Sequence, residues 1–354
     1  MAISFISSIV FAASERNMGH GICCDYSGGF VYQFYMTPTA ARGGIAKIRI
    51  SDFTRVANVT FACSPASSGG GGAVVDAANG FAYIVNGNRI KQLNLAGFSV
   101  GLDSFFGDAN GEIVIDSAGT YLYTSLYSNG TARRILATSL GLVNQVVVGS
   151  ARVPTAVAVD FTRGFMYTGL NDTSSDGIKK VRLSDFTLVS TIIPGAGVNQ
   201  WHSASYDALN DRIYFAGSRL LKLNPADDSF VVHATPAPNL TGGNAGFVLA
   251  APNAGTGVVY VGNGSAGTTI ISEVDIATFT VVNTLTLTGS SKGATGGARD
   301  PVTGKLYVCS NQDPGRVDQL QGIPDNPSAV PVSGGPNVKR RPYPYNGATI
   351  SSAW

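Results

Sequence analysis

The sequence predicts an all-β protein, a seven-bladed β-propeller built from four-stranded antiparallel blades. Three observations carry this: an Asp–Tyr pair that recurs seven times, strand-period alternation within each unit, and a composition suited to strands and tight turns. The chain has 44 glycines in 354 residues and only 13% charged residues, against roughly 7% and ~25% in an average soluble domain.

The Asp–Tyr pair comes first. An aspartate is followed seven residues later by a tyrosine at Asp25/Tyr32, Asp76/Tyr83, Asp116/Tyr123, Asp160/Tyr167, Asp207/Tyr214 and Asp300/Tyr307, and Asn253/Tyr260 is the same pair with Asn for Asp. The mean spacing of these seven units is about 46 residues, the length of a four-stranded propeller blade. Turn residues lie inside each pair, as in Pro301-Val302-Thr303-Gly304. An Asp or Asn side chain accepts from backbone amides two or three residues on, and Gly supplies the positive φ. The aspartates are therefore expected to cap turns between first and second strands. The tyrosines are expected to pack between blades.

The second half of each unit alternates with the period of a strand. Ile45 to Ile50 and Ile178 to Leu183 interleave apolar and polar residues, and each is followed by Ser-Asp-Phe-Thr, at Ser51 to Thr54 and Ser184 to Thr187. Phe98, Phe230 and Phe279 are expected to mark the same step before a fourth strand such as Val189 to Ile193 or Val281 to Leu287. No stretch supports a helix of more than a turn or two.

Closure of the ring follows from the N-terminus. Phe11-Ala12-Ala13 stands before Asp25 as Phe61-Ala62-Cys63 stands before Asp76, so the chain opens on a fourth strand that lacks its first three. Residues 4–13 are expected to complete blade seven, whose third strand lies near 316–321, and to remove the free edge. The propeller then spans 1–323. Residues 324–354 form an irregular, extended Pro/aromatic tail.

The phrases Asp300-Pro-Val-Thr-Gly-Lys-Leu-Tyr307-Val and Asn253-Ala-Gly-Thr-Gly-Val-Val-Tyr260-Val resemble YVTN-type seven-bladed β-propeller repeats, over about 1–323. The resemblance implies the fold and leaves function open, because propellers host enzymes, lectins and scaffolds alike. It includes lactone hydrolases, whose His and acidic constellation has no counterpart in this sequence.

Composition narrows the function classes. A net charge of +2 gives no field to hold nucleic acid or an anionic membrane. No window has the ~18 uninterrupted apolar residues of a membrane span. The apolar run Ile3 to Ala13 has no preceding Lys or Arg, so no conventional signal peptide is expected. The four cysteines, Cys23, Cys24, Cys63 and Cys309, form no CxxC and read as buried free thiols; no metal and no cofactor are expected. There is no Gly-x-Ser-x-Gly, and the glycine run Gly69 to Gly72 opens no helix to cradle a phosphate. These points argue against an enzyme.

Function should lie where the repeats differ. The position five before each repeat Asp holds histidine twice, His20 and His202, with Asn199, Gln200 and Trp201 beside the second. This is the candidate ligand pocket at the channel mouth, with Trp201 as a platform for a sugar. In the tail, Lys339, Arg340, Arg341, Tyr343, Tyr345 and Trp354 are candidates for docking on a partner. The expected function is a non-enzymatic structural or adhesive component of a larger assembly. The composition is similar to that of bacteriophage tail and fibre proteins, which points to a virion or extracellular surface and to other protein subunits and a cell-surface glycan as partners. The alternatives are a stand-alone carbohydrate-binding propeller and a lactonase-like hydrolase.

Overall fold

In the computed structural model the chain forms seven four-stranded antiparallel sheets set in a ring. The structure describes residues 2–13, 15, 21–37, 42–62, 70–107, 110–126, 130–149, 154–170, 177–195, 198, 201–233, 245–253, 256–263, 268–288, 293–310 and 314–324. Among them there is no helix. The chain opens with β1 (Ser4–Val10). Blade 1 is β2 (Ile22–Asp25), β3 (Phe30–Thr37), β4 (Arg42–Arg49) and β5 (Thr54–Ala62). Blade 2 is β6 (Gly70–Asp76), β7 (Phe81–Asn86), β8 (Arg89–Asn94) and β9 (Ser99–Phe105). Blade 3 is β10 (Asn110–Ile115), β11 (Tyr121–Leu126), β12 (Thr131–Leu136) and β13 (Gly141–Val147). Blade 4 is β14 (Pro154–Asp160), β15 (Phe165–Leu170), β16 (Ile178–Arg182) and β17 (Thr187–Ile192). Blade 5 is β18 (Ser203–Asp207), β19 (Arg212–Ala216), β20 (Leu220–Leu223) and β21 (Phe230–Val232). Blade 6 is β22 (Ala245–Asn253), β23 (Thr256–Asn263), β24 (Thr269–Asp275) and β25 (Val281–Leu287). Blade 7 is β26 (Ala294–Arg299), β27 (Lys305–Ser310), β28 (Arg316–Gln321) and the N-terminal β1.

The first strands β2, β6, β10, β14, β18, β22 and β26 each touch the next, and β26 touches β2, so the inner ring is complete. The N-terminal strand completes blade 7 at its outer edge, as the sequence implies. β1 runs antiparallel to β28, with Ser4 opposite Gln321 and Val10 opposite Arg316.

The turn end of the blades follows the repeat. Asp25 accepts from Gly28 N–H at 2.8 Å, Asp116 from Thr120 N–H at 2.7 Å, Asp160 from Arg163 N–H at 3.0 Å and Asp300 from Val302 N–H at 2.9 Å. Asp76 and Asp207 do the same with Asn79 and Asn210. Gly164 takes the left-handed φ of +73° that this turn demands, whereas Asp211 holds the place in blade 5 at +53°, a region Asp tolerates. The seven tyrosines are all buried. Burial pushes the Tyr123 phenol up to about 12, so it packs as a neutral ring.

Opposite each tyrosine, across to the third strand, stands a polar residue: Lys47, Gln92, Arg134, Lys180, Lys222, Glu273 and Gln319. Several of these reach forward to the next blade. Arg134 donates to Leu183 O at 2.8 Å, Lys180 to Asp228 Oδ1 at 2.7 Å and Lys222 to Ile276 O at 3.1 Å. The ammonium of Lys47 lies 5.4 Å from the centre of the Phe98 ring. The turn residues they meet, Phe98, Phe186, Asp228 and Phe279, have left-handed φ, as do Phe53 and Leu140 at the same step of blades 1 and 3. Blade 5 departs from expectation here. Asp228 takes the turn position and receives the Lys180 ammonium, while Phe230 begins the outer strand and is 37% exposed.

At the closing junction the polarity inverts. Glu273 of blade 6 accepts from Ile3 N–H at 3.2 Å, because the incoming terminal strand offers a donor where other blades offer a carbonyl or carboxylate. The end of blade 7 is clamped there too. Tyr260 hydroxyl accepts from Ile323 N–H at 2.8 Å, and Arg299, fully buried, donates to Ile323 O.

Candidate functional site

The two ends of the ring differ. Connections at one end are the capped turns described above. Those at the other, the mouth, vary in extent: residues 106–109 join β9 to β10, and residues 193–202 join β17 to β18. Variable connections on a fixed scaffold are where binding residues are usually placed. Of the expected mouth residues, His20 and Asn199 lie outside the described residues, as do Lys339, Arg340, Arg341, Tyr343, Tyr345 and Trp354 of the tail.

Trp201 does not form the expected platform. Its side chain is 1% exposed and wedged between blades 4 and 5, edge-on to Phe215 with ring centres 5.9 Å apart. Gly169 makes the space: a Cβ there would stand 2.5 Å from the Trp201 Cβ. Thr155 hydroxyl donates to Trp201 O, fixing the segment to β14. An indole packed this way has no face left for a sugar. His202 is half-buried, and its amide donates to Ala216 O at 2.9 Å. His233 is buried, edge-on to Phe279.

Directly after His202 comes a polar cluster that the repeat position chosen from the sequence missed by one residue. Glu112 of β10 is 2% exposed and reaches from blade 3 past blade 4 to blade 5. Its Oε2 accepts from Val157 N–H at 2.9 Å and Ala204 N–H at 3.0 Å, and its Oε1 from Ser203 hydroxyl at 2.6 Å. Ser203 Oγ in turn accepts from Val248 N–H of blade 6 at 3.1 Å. Burial pushes the Glu112 carboxyl up to about 8, against the three donors, which favour its charged form. Glycine lets the inner strands approach: a Cβ on Gly71 would stand 2.6 Å from Gly111 O, and one on Gly111 2.7 Å from Thr155 O. The glycine run of the sequence serves this packing. Ser203 is fully buried, so its hydroxyl faces a carboxylate where no substrate reaches it.

Other reactive groups are also sequestered. Cys23, Cys24 and Cys309 are buried free thiols, and burial raises all three, Cys309 to about 12. Cys63 lies outside the described residues. Among the described residues no group of three His, Cys, Asp or Glu could hold a metal ion.

The rim is the opposite of the mouth floor. Among the described residues, each blade's outermost strand leaves one hydrogen-bonding edge open. Val10 is 57% exposed, Phe105 59%, Val147 65% and Val282 57%. Five of the seven outer strands, β1, β13, β17, β21 and β25, contain no charged residue. The exceptions are Arg55 on β5, paired with Glu15, and Asp103 on β9, paired with Lys91. Exposed edges are ordinarily guarded by charge, proline or bulges.

No protein-family model matches the chain, and no curated protein shows significant similarity to it.

Proposed function

We propose that this β-propeller is a non-enzymatic structural component of a larger assembly, held to neighbouring protein subunits by its rim and its C-terminal tail. The observation that supports it most is the set of uncharged, apolar outer strands with open edges. Interface cores are depleted of charge in the same way. The tail adds to this reading. Residues 325–354 contain Asp325 against Lys339, Arg340 and Arg341, so they carry the chain's whole net charge of +2, next to two tyrosines and a terminal tryptophan. The chain enters the tail at Ile323 from a clamped position on Tyr260 and Arg299, which sets its starting point between blades 6 and 7.

The repeat remains similar to YVTN-type blades, on the Asp and Tyr positions alone. A virion tail or fibre, or another extracellular surface, is the assembly whose composition this chain resembles. Comparison of the native particle mass for the full chain and for a chain lacking 325–354 tests the role of the tail. Release of the truncated chain as a free propeller is the expected result. A full-length chain that is a strict monomer near 36.6 kDa in its native setting overturns the proposal.

A further inference from the structure

We propose that Glu112 is an axial proton switch: neutral, it pins the inner strands of blades 3, 4 and 5 together beneath the mouth, and ionised, it loosens that junction. The geometry of the cluster carries this. One carboxyl group gathers Val157 N–H, Ala204 N–H and Ser203 hydroxyl from two neighbouring blades, and Ser203 passes the link to Val248 of a fourth.

Both protonation states have a bonded arrangement. When neutral, Oε2 still accepts the two amides, and the Oε1 proton is donated to Ser203 Oγ. When ionised, the proton leaves to solvent and Ser203 hydroxyl turns to donate to Oε1. The second state keeps the hydrogen bonds only with a buried charge and no cation beside it, and opening the junction to water relieves that cost.

The strands around it supply no counter-charge. β6, β7, β11, β14 and β18 contain no Lys or Arg. Their ionisable groups are Asp76 on β6, Tyr83 on β7, Tyr121 and Tyr123 on β11, Asp160 on β14, and Tyr206 and Asp207 on β18. Asp116 follows β10 itself. The four aspartates stand four repeat positions beyond Glu112, at the capped turns. His202 precedes Ser203 on the mouth side, and Thr155 and Trp201 are joined just above, so a loosened junction is felt first at the mouth.

Burial raises the folded-state value from the ordinary carboxyl range to about 8. Stability contributed by the neutral group is therefore complete below the unfolded value, about 4.3, and lost as pH rises through about 8.

The chain has three glutamates, Glu15, Glu112 and Glu273, so a full-length chain labelled with 13C at glutamate Cδ gives three carboxyl resonances. One, absent in E112Q, is expected to titrate with a midpoint near pH 8, and the Val157 and Ala204 amide shifts should follow the same curve. The melting temperature of the native chain should fall over this range by several degrees more than that of E112Q. S203A removes one donor from the ionised carboxylate, so it should move the midpoint upward and identify the resonance if E112Q does not fold. Three resonances that all titrate in the ordinary carboxyl range, or amides of Val157 and Ala204 that ignore the transition, overturn the proposal.

Discussion

The inner ring and the outer rim are opposite edges of the same seven sheets, yet they solve the edge problem in opposite ways. Inner edges face one another across a narrow axis, and the sequence fills that space with glycine, serine and one glutamate. Gly71 and Gly111 allow close approach, and Glu112, Ser203 and Ser205 take up amides of neighbouring blades. Among the described residues the outer edges keep their amides and carbonyls open and carry Val147, Val282 and Phe105 at more than half exposure. The chain seals its inner edge with side chains and leaves five of its seven outer strands without a charged residue.

The largest expected effect lies in the inner ring. Glu112→Ala leaves two amides and a hydroxyl buried without an acceptor, at about 1–3 kcal/mol for each orphaned group. Chemical denaturation should show a loss of about 3 kcal/mol or more. A variant as stable as the native chain would mean that the axis is not pinned there. Next comes the turn end. Asp207 is fully buried and accepts from Leu209 N–H, Asn210 N–H and the Asn210 amide. Asp207→Ala should lose about 1–3 kcal/mol, and an unchanged midpoint in urea would show that the repeat Asp is dispensable. At the closing junction, Tyr260→Phe removes the acceptor of Ile323 N–H. A loss of about 1 kcal/mol is expected, with faster amide exchange at Ile323 as the local readout.

The smallest stability effect belongs to the rim. Val147→Lys and Val282→Lys place charges on outward-facing positions and should each change stability by no more than ~0.5 kcal/mol. A larger loss by thermal melting would show that these side chains belong to the fold and not to a contact surface.

The fold was legible because its causes repeat. A turn that holds a capping Asp in six units and Asn253 in the other, and a blade gap that needs a Tyr in all seven, fix the period. Phe11-Ala12-Ala13 matched an internal fourth strand closely enough to reveal the closure before any sheet was seen. The site was less legible for a physical reason. The position five residues before each Asp draws the eye to the mouth, because two histidines coincide there. One residue later the repeats hold Gly21, Gly72, Glu112, Ala156, Ser203, Leu249 and Gly296, and the lone carboxylate among mainly small residues is the visible signal. Adjacent strand positions face opposite sides, so a shift of one changed which groups were read. Trp201 misled for a different reason. An aromatic residue beside a variable loop is a fair platform until a neighbouring glycine, here Gly169, opens a slot for it in the core. The forward reach of Lys47, Arg134, Lys180 and Lys222 was also hidden, because their cross-strand pairing with tyrosine requires the register.

The separation of ring from rim is tested most directly by the mass of the native particle that contains this chain, measured for the native sequence and for the Val147→Lys/Val282→Lys double variant. If the rim carries assembly, the native chain sits in a particle heavier than 36.6 kDa and the double variant is released as a folded monomer. A native chain that already runs as a monomer, or a double variant that stays in the particle unchanged, contradicts it.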